Sequence, residues 1–109
     1  MRLSLARCLF SESLALLILE VRKAGRYVAI DDVKAHPGQG HMVGSLHELG
    51  LAADLNLYDA DGNYLSATED HTPIGEWWEQ HGVDMGYPLR WGGRFHDGNH
   101  YSWEWEGKK

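Results

Sequence analysis

Ser45-Leu46-His47-Glu48-Leu49-Gly50-Leu51-Ala52-Ala53-Asp54-Leu55-Asn56-Leu57-Tyr58 is the stretch on which the reading of the fold turns. Side chains of an extended chain point alternately to opposite faces. From Leu51 to Tyr58 that rule sets Leu55 and Leu57 on one face and Asp54, Asn56 and Tyr58 on the other. A strand is therefore expected here, with an apolar face toward a core and a carboxylate on the face turned away from it. His47 lies on the approach to this strand.

Working outward, the N-terminal side reads as helix, strand and loop. Leu14, Leu17, Ile18 and Val21 recur at helical spacing, Ser11 is placed to cap, and Gly25 stands where a left-handed C-terminal residue belongs, so an amphipathic helix is expected over roughly residues 12–24. Arg26 to Ile30 reads as a short strand, and Asp31 to Ser45, with Pro37, Gly38, Gly40 and Gly44, as a loop bordering a site. On the other side, Asp59 to Asn63 contains Asp-Gly, a hairpin signal, and Tyr64 to Ala67 supplies the returning strand. The Asp59, Asp61, Asn63 spacing is not a calcium loop of the EF-hand type, because Gly62 falls fourth where the sixth position wants glycine, and the twelfth residue is Asp70 where glutamate is wanted, so a plain turn is expected. Thr72-Pro73 reads as an N-cap and first-turn pair for a second helix, whose stripe of Ile74, Trp77, Trp78 and His81 runs to Gly82. Past Gly92 and Gly93, alternation from His100 to Glu106 marks a last strand, with Tyr101, Trp103 and Trp105 on one face and His100, Ser102 and Glu104 on the other.

With 109 residues the chain closes one core, so residues 1–109 form a single domain. A hydrophobic content of 43% argues against disorder, and a net charge of −6 without a lysine or arginine stripe argues against nucleic-acid binding. One cysteine, Cys8, excludes an intrachain disulfide framework and is expected as buried packing. Arg2 and Arg7 precede apolar residues, but Ser11, Glu12, Ser13 and Glu20 interrupt the run, which argues against a signal peptide and a membrane span.

The chemistry sits with the histidines and carboxylates. His47 and Asp54 bracket the approach to one strand, while His100 opens another with Asp97 three residues ahead of it. Two imidazoles and a carboxylate suit zinc, and three protein ligands leave a fourth position for water, the arrangement of a catalytic site. Histidine and aspartate also gather in ordinary hydrogen-bonded loops, so residue type alone leaves both readings open.

Ser45-Leu46-His47-Glu48-Leu49-Gly50-Leu51-Ala52-Ala53-Asp54-Leu55 resembles the SxHxxGxAxDL signature of zinc peptidases that include VanY-type D-alanyl-D-alanine carboxypeptidases, VanX-type dipeptidases and phage L-alanyl-D-glutamate endolysins. Asp97-Gly98-Asn99-His100-Tyr101 resembles the second signature of that family, an acid, two residues, histidine and an aromatic. The resemblance implies an α+β fold, two helices packed on a small, mainly antiparallel sheet whose open edge carries the zinc, similar to that of Hedgehog domains and DD-peptidases. It implies one zinc per chain held by His47, Asp54 and His100, with Asp97 as the general base that takes a proton from the attacking water. Ser45 and Gln39 become substrate contacts by the same resemblance, as does Trp91, and Lys34 stands where the family commonly has arginine. Lysine lacks the bidentate fork of arginine, which puts substrate preference in question.

The expected activity is cleavage of the peptidoglycan stem peptide at the L-alanyl-D-glutamate bond, in the manner of a phage or prophage endolysin. D-alanyl-D-alanine carboxypeptidase activity is the alternative within enzymes, and a zinc-containing wall- or ligand-binding module the alternative outside them. The chain is expected as a monomer, made in the cytoplasm and reaching the wall or periplasm with the help of a partner such as a holin. His71 and His81 read as capping or surface residues, His36 and His41 as loop residues, and His96 as a neighbour of Asp97 with no assigned role.

Overall fold

The computed structural model describes residues 1–31 and 45–109. Two helices and a five-stranded sheet account for these residues, an α+β fold as the sequence led one to expect. In chain order the elements are α1 (Leu3–Lys23), β1 (Tyr27–Ile30), β2 (Ala52–Tyr58), β3 (Tyr64–Leu65), α2 (Thr72–Met85), β4 (Leu89–Trp91) and β5 (His100–Trp103). The strand order is β1-β2-β5-β4, every pairing is antiparallel, and β3 adds to β2.

Alternation in β2 does what its sequence dictates. Ala53, Leu55 and Leu57 are buried in a core shared with Ala6, Phe10, Leu17 and Val21 of α1, Ile74 and Trp78 of α2, and Leu89, Trp91, Tyr101 and Trp103 of the sheet. Trp78 anchors this layer: its ring stands edge-on to Phe10 and Tyr101, and its indole N–H donates to the carbonyl of Arg90 at 3.0 Å. A buried indole needs such an acceptor, because an unpaired N–H in the core costs about 1–3 kcal/mol.

Several boundaries differ from the sequence reading. The first helix starts at Leu3, and Ser11 does not cap it; the Ser11 hydroxyl donates to the carbonyl of Arg7 one turn earlier. Ala6 and Phe10 extend the buried stripe of Ser13, Leu17 and Val21, so tertiary packing carries the helix past the polar Ser-Glu-Ser break. Cys8 is exposed, on the face away from that stripe. Gly25 ends α1 in the left-handed conformation, as expected, but α2 runs past Gly82 and ends at left-handed Gly86. At the other end of α2, Thr72 is already helical and a 3-10 turn, Thr68–His71, precedes it. β4 lies between the second helix and Gly92, where no strand was expected, and its three residues are too few to show a period. The last strand stops at Trp103, and Trp105 pairs with Lys108 across a tight reversal. Asp59 is a turn residue: its carboxylate accepts from the backbone N–H groups of Asp61 and Asn63, and the Asn63 bonds hold its pKa below the ordinary value. Among the described residues no helix is long and apolar enough to cross a membrane.

Candidate metal centre

His47 is delivered by a single turn whose geometry is written in its sequence. Leu51 N–H bonds to the carbonyl of Leu46 at 2.9 Å, Gly50 N–H bonds to the carbonyl of His47 at 3.2 Å, and Gly50 has φ +73°. This is the pattern of a Schellman turn, in which a glycine takes the left-handed position and the residues flanking the turn meet in the core. Leu46 and Leu51 are those flanking residues, and both are buried. A Cβ on Gly50 would be strained by its φ and would also meet the Arg7 guanidinium of α1 at 2.8 Å. The turn therefore fixes His47 against β2 and α1 together.

Asp54 and His100 are brought together by strand register. Directly opposed residues of an antiparallel pair share a face, and Asp54 opposes His100 in the β2–β5 ladder. β2 and β5 are the two inner strands of the path, so the site sits on a face at the middle of the sheet and not at the open edge that the sequence reading expected. The reason is pairing on both sides of β2: Leu55–Tyr58 pair with β1 while Ala52–Asp54 pair with β5, and Asp54 lies where the two ladders meet.

His47 Nε2 and His100 Nδ1 each lie 3.5 Å from Asp54 Oδ1, and one ligand atom from each of the three residues falls within 4.8 Å of the others. Charge-assisted N–H···O bonds are shorter, near 2.7–2.9 Å. A tetrahedral zinc with N and O ligands at 2.0–2.1 Å sets its ligand atoms about 3.3 Å apart, so these separations fit the edges of such a polyhedron. Asp54 is 3% exposed and His100 7%, which removes both from competing water. His100 Nε2, the nitrogen facing away from Asp54, lies 3.3 Å from the main-chain oxygen of Lys109. The buried group of His47, Asp54 and His100 could thus hold a metal ion, and among the described residues it is the one cluster of its kind.

Of the remaining residues expected at the site, Asp97, Ser45 and Trp91 fall within the described residues. Asp97 is exposed and is not one of the three converging residues; it opens the loop into β5, where its N–H bonds to the carbonyl of Gly92 and its carbonyl accepts from His100 N–H. A Cβ on Gly92 would collide with the Asp97 carbonyl and meet the His100 Cβ at 2.7 Å, so that loop closes only over glycine. Ser45 opens the His47 turn, and its carbonyl accepts from Glu48 N–H; its hydroxyl is buried and has no hydrogen-bond partner among the described residues. Trp91, expected at the substrate, is instead a core residue, 3% exposed, whose indole N–H donates to the carbonyl of Gly98 at 2.7 Å. Its place in β4 turns it inward opposite Tyr101. Lys34 and Gln39, with His36 and His41, lie outside the described residues.

His71 also departs from the capping or surface role expected of it. It is 3% exposed, and its Nδ1 lies 2.8 Å from the Tyr101 hydroxyl. Burial lowers its pKa to about 4, a shift that nearby Asp70 opposes and Arg26 reinforces. Burial likewise pushes the Tyr101 phenol well above its ordinary value. The neutral ring thus accepts at Nδ1 while the phenol donates. A signal was available: His71, Ile74, Gly75, Trp78 and Gly82 form one helical stripe, and all are buried. With Tyr64, Ser66, Thr68, His96, Asp97 and Asn99, His71 borders a cavity of about 200 Å³ beside the Asp97 loop. His96, in the left-handed conformation at φ 62°, turns the chain there.

Set against models of known protein families and against curated proteins, the sequence matches none of them.

Proposed function

We propose that the chain is a zinc-dependent peptidase acting on the stem peptide of peptidoglycan, with the L-alanyl-D-glutamate bond as its target. The observation that carries this reading is the convergence of His47 Nε2, Asp54 Oδ1 and His100 Nδ1, three ligands of a type that leaves zinc a fourth position. These are the same residues on which the sequence resembles the peptidase family, and fold by itself does not fix function. When bound, zinc supplies a Lewis acid for the peptide carbonyl and brings the pKa of water to about 7.

The chain's own residues do the rest. Asp97 takes a proton from the attacking water and returns it to the leaving amine, a role for an exposed carboxylate held beside the His100 strand by its own backbone bonds. The side chains of Tyr64, Ser66, Thr68 and Asn99 around the adjoining cavity offer hydroxyl and amide partners for a polar peptide main chain. Reaching the wall calls for passage through a membrane, for which a holin-type partner is the proposed route.

Muropeptide digestion with mass analysis tests the reading. Release of peptides with a new D-glutamate N-terminus, with L-alanine left carrying the new carboxylate, is expected; loss of a terminal D-alanine would mark a carboxypeptidase, and an intact digest with ligand binding retained would mark a binding module. Asp97→Asn keeps the shape of the side chain but cannot accept the proton, so hydrolysis should fall by on the order of 10²-fold or more with zinc content unchanged. Wild-type turnover in this variant would break the assignment of the base, and loss of zinc would make Asp97 a ligand.

A further inference from the structure

The last residues of the chain reverse direction and return to the metal centre. Trp105 and Lys108 exchange both backbone hydrogen bonds, at 3.0 and 2.9 Å, around Glu106 and Gly107, whose φ values are 50° and 81°. Two central residues with positive φ define the type I′ hairpin turn, which demands glycine or a residue of its kind. The reversal lays the Lys109 main-chain oxygen 3.3 Å from His100 Nε2. A backbone oxygen can only accept, so His100 donates from Nε2, and in the neutral ring the nitrogen left with a lone pair is Nδ1, the one that faces Asp54.

We propose that the segment from Trp105 to Lys109 is a positioning element of the metal centre, fixing His100 in the Nε2–H tautomer so that Nδ1 is ready to ligate. Metal-binding imidazoles depend on such outer hydrogen bonds, and losing one costs about 10- to 100-fold in affinity. The inference rests on the metal-site reading and not on peptide hydrolysis. Gly107 acts here through the turn and touches no ligand, so its replacement probes the tail without altering the three donors.

The test measures zinc dissociation constants by chelator competition and the His100 tautomer by nitrogen NMR of the metal-free protein. Gly107→Val, which strains the turn, and a chain ending at Glu104 are both expected to bind zinc 10-fold or more weakly, with the His100 ring no longer held as Nε2–H. Gly107→Asn, which tolerates positive φ, should keep most of the affinity. Unchanged affinity in the shortened chain overturns the proposal, and so does weakened affinity with the tautomer unchanged, which marks a tail that only supports the fold. Failure of the peptidase reading appears separately, as zinc bound normally without hydrolysis, and a wild type that binds no zinc removes the site itself.

Discussion

Strand β5 carries neighbouring side chains with opposite neighbourhoods. On one face Tyr101 meets His71 at 2.8 Å, and on the other His100 faces Asp54 at 3.5 Å. All four residues are buried. The first pair forms a neutral hydrogen bond of ordinary length inside the core, and burial holds the histidine uncharged. The second belongs to a group of three whose spacing suits metal–ligand edges better than a short ion pair. Burial of a histidine therefore does not mark a site. What separates the two regions is the number of ligand atoms that converge and the distance at which they stop.

The largest expected effect breaks the comparison on the metal side. His47→Ala and His100→Ala should each abolish stoichiometric zinc binding, read by metal analysis after gel filtration, because three ligands leave none to spare. Stripping zinc from the wild type should lower its melting temperature, since a ligand bound only by the native state stabilises it by mass action, about 2.7 kcal/mol when free zinc is 100-fold above its dissociation constant. Full zinc in both variants would return His47 and His100 to ordinary packing.

The core side should respond to pH. His71 has a folded pKa near 4 against an ordinary 6.5, so the unfolded chain takes up the proton first as pH falls. The stability it contributes is complete above pH 6.5 and is lost through the window from 6.5 to 4, by up to about 3 kcal/mol. Urea denaturation of the metal-free protein at pH 7 and 4.5 should show this loss, and His71→Gln should flatten it; an equal slope in both proteins would assign the effect to carboxylates.

The smallest effect sharpens the contrast. Tyr101→Phe removes the donor to His71 Nδ1 and should cost about 1–3 kcal/mol in stability while leaving zinc affinity within a few-fold of wild type. A large loss of affinity would mean that the two faces of β5 are coupled, and the comparison would fail.

Much of this was legible along the chain. Alternation in Leu51 to Tyr58 gave the inner strand and the outward Asp54, left-handed Gly25 was readable as the end of the first helix, and the spacing of apolar residues gave both helices. These features rest on φ preferences and on side-chain periods of two or 3.6 residues, which any local stretch exposes. The true start of α1 was hidden because Ala6 and Phe10 are buried only by contact with elements distant in sequence. β4 was hidden because three residues do not make a period.

The sequence by itself determined which residues could be ligands, that His47 lies on the approach to β2, and which residues alternate between apolar and polar faces in β2 and β5. Only the tertiary structure decided that Asp54 opposes His100, that the pair lies at the middle of the sheet, which nitrogen of each imidazole faces the carboxylate, and that His71 is enclosed with Tyr101. The physical reason is that turns and periods are set by neighbours along the chain, whereas ladder register, burial and tautomer are set by partners that only folding brings within reach.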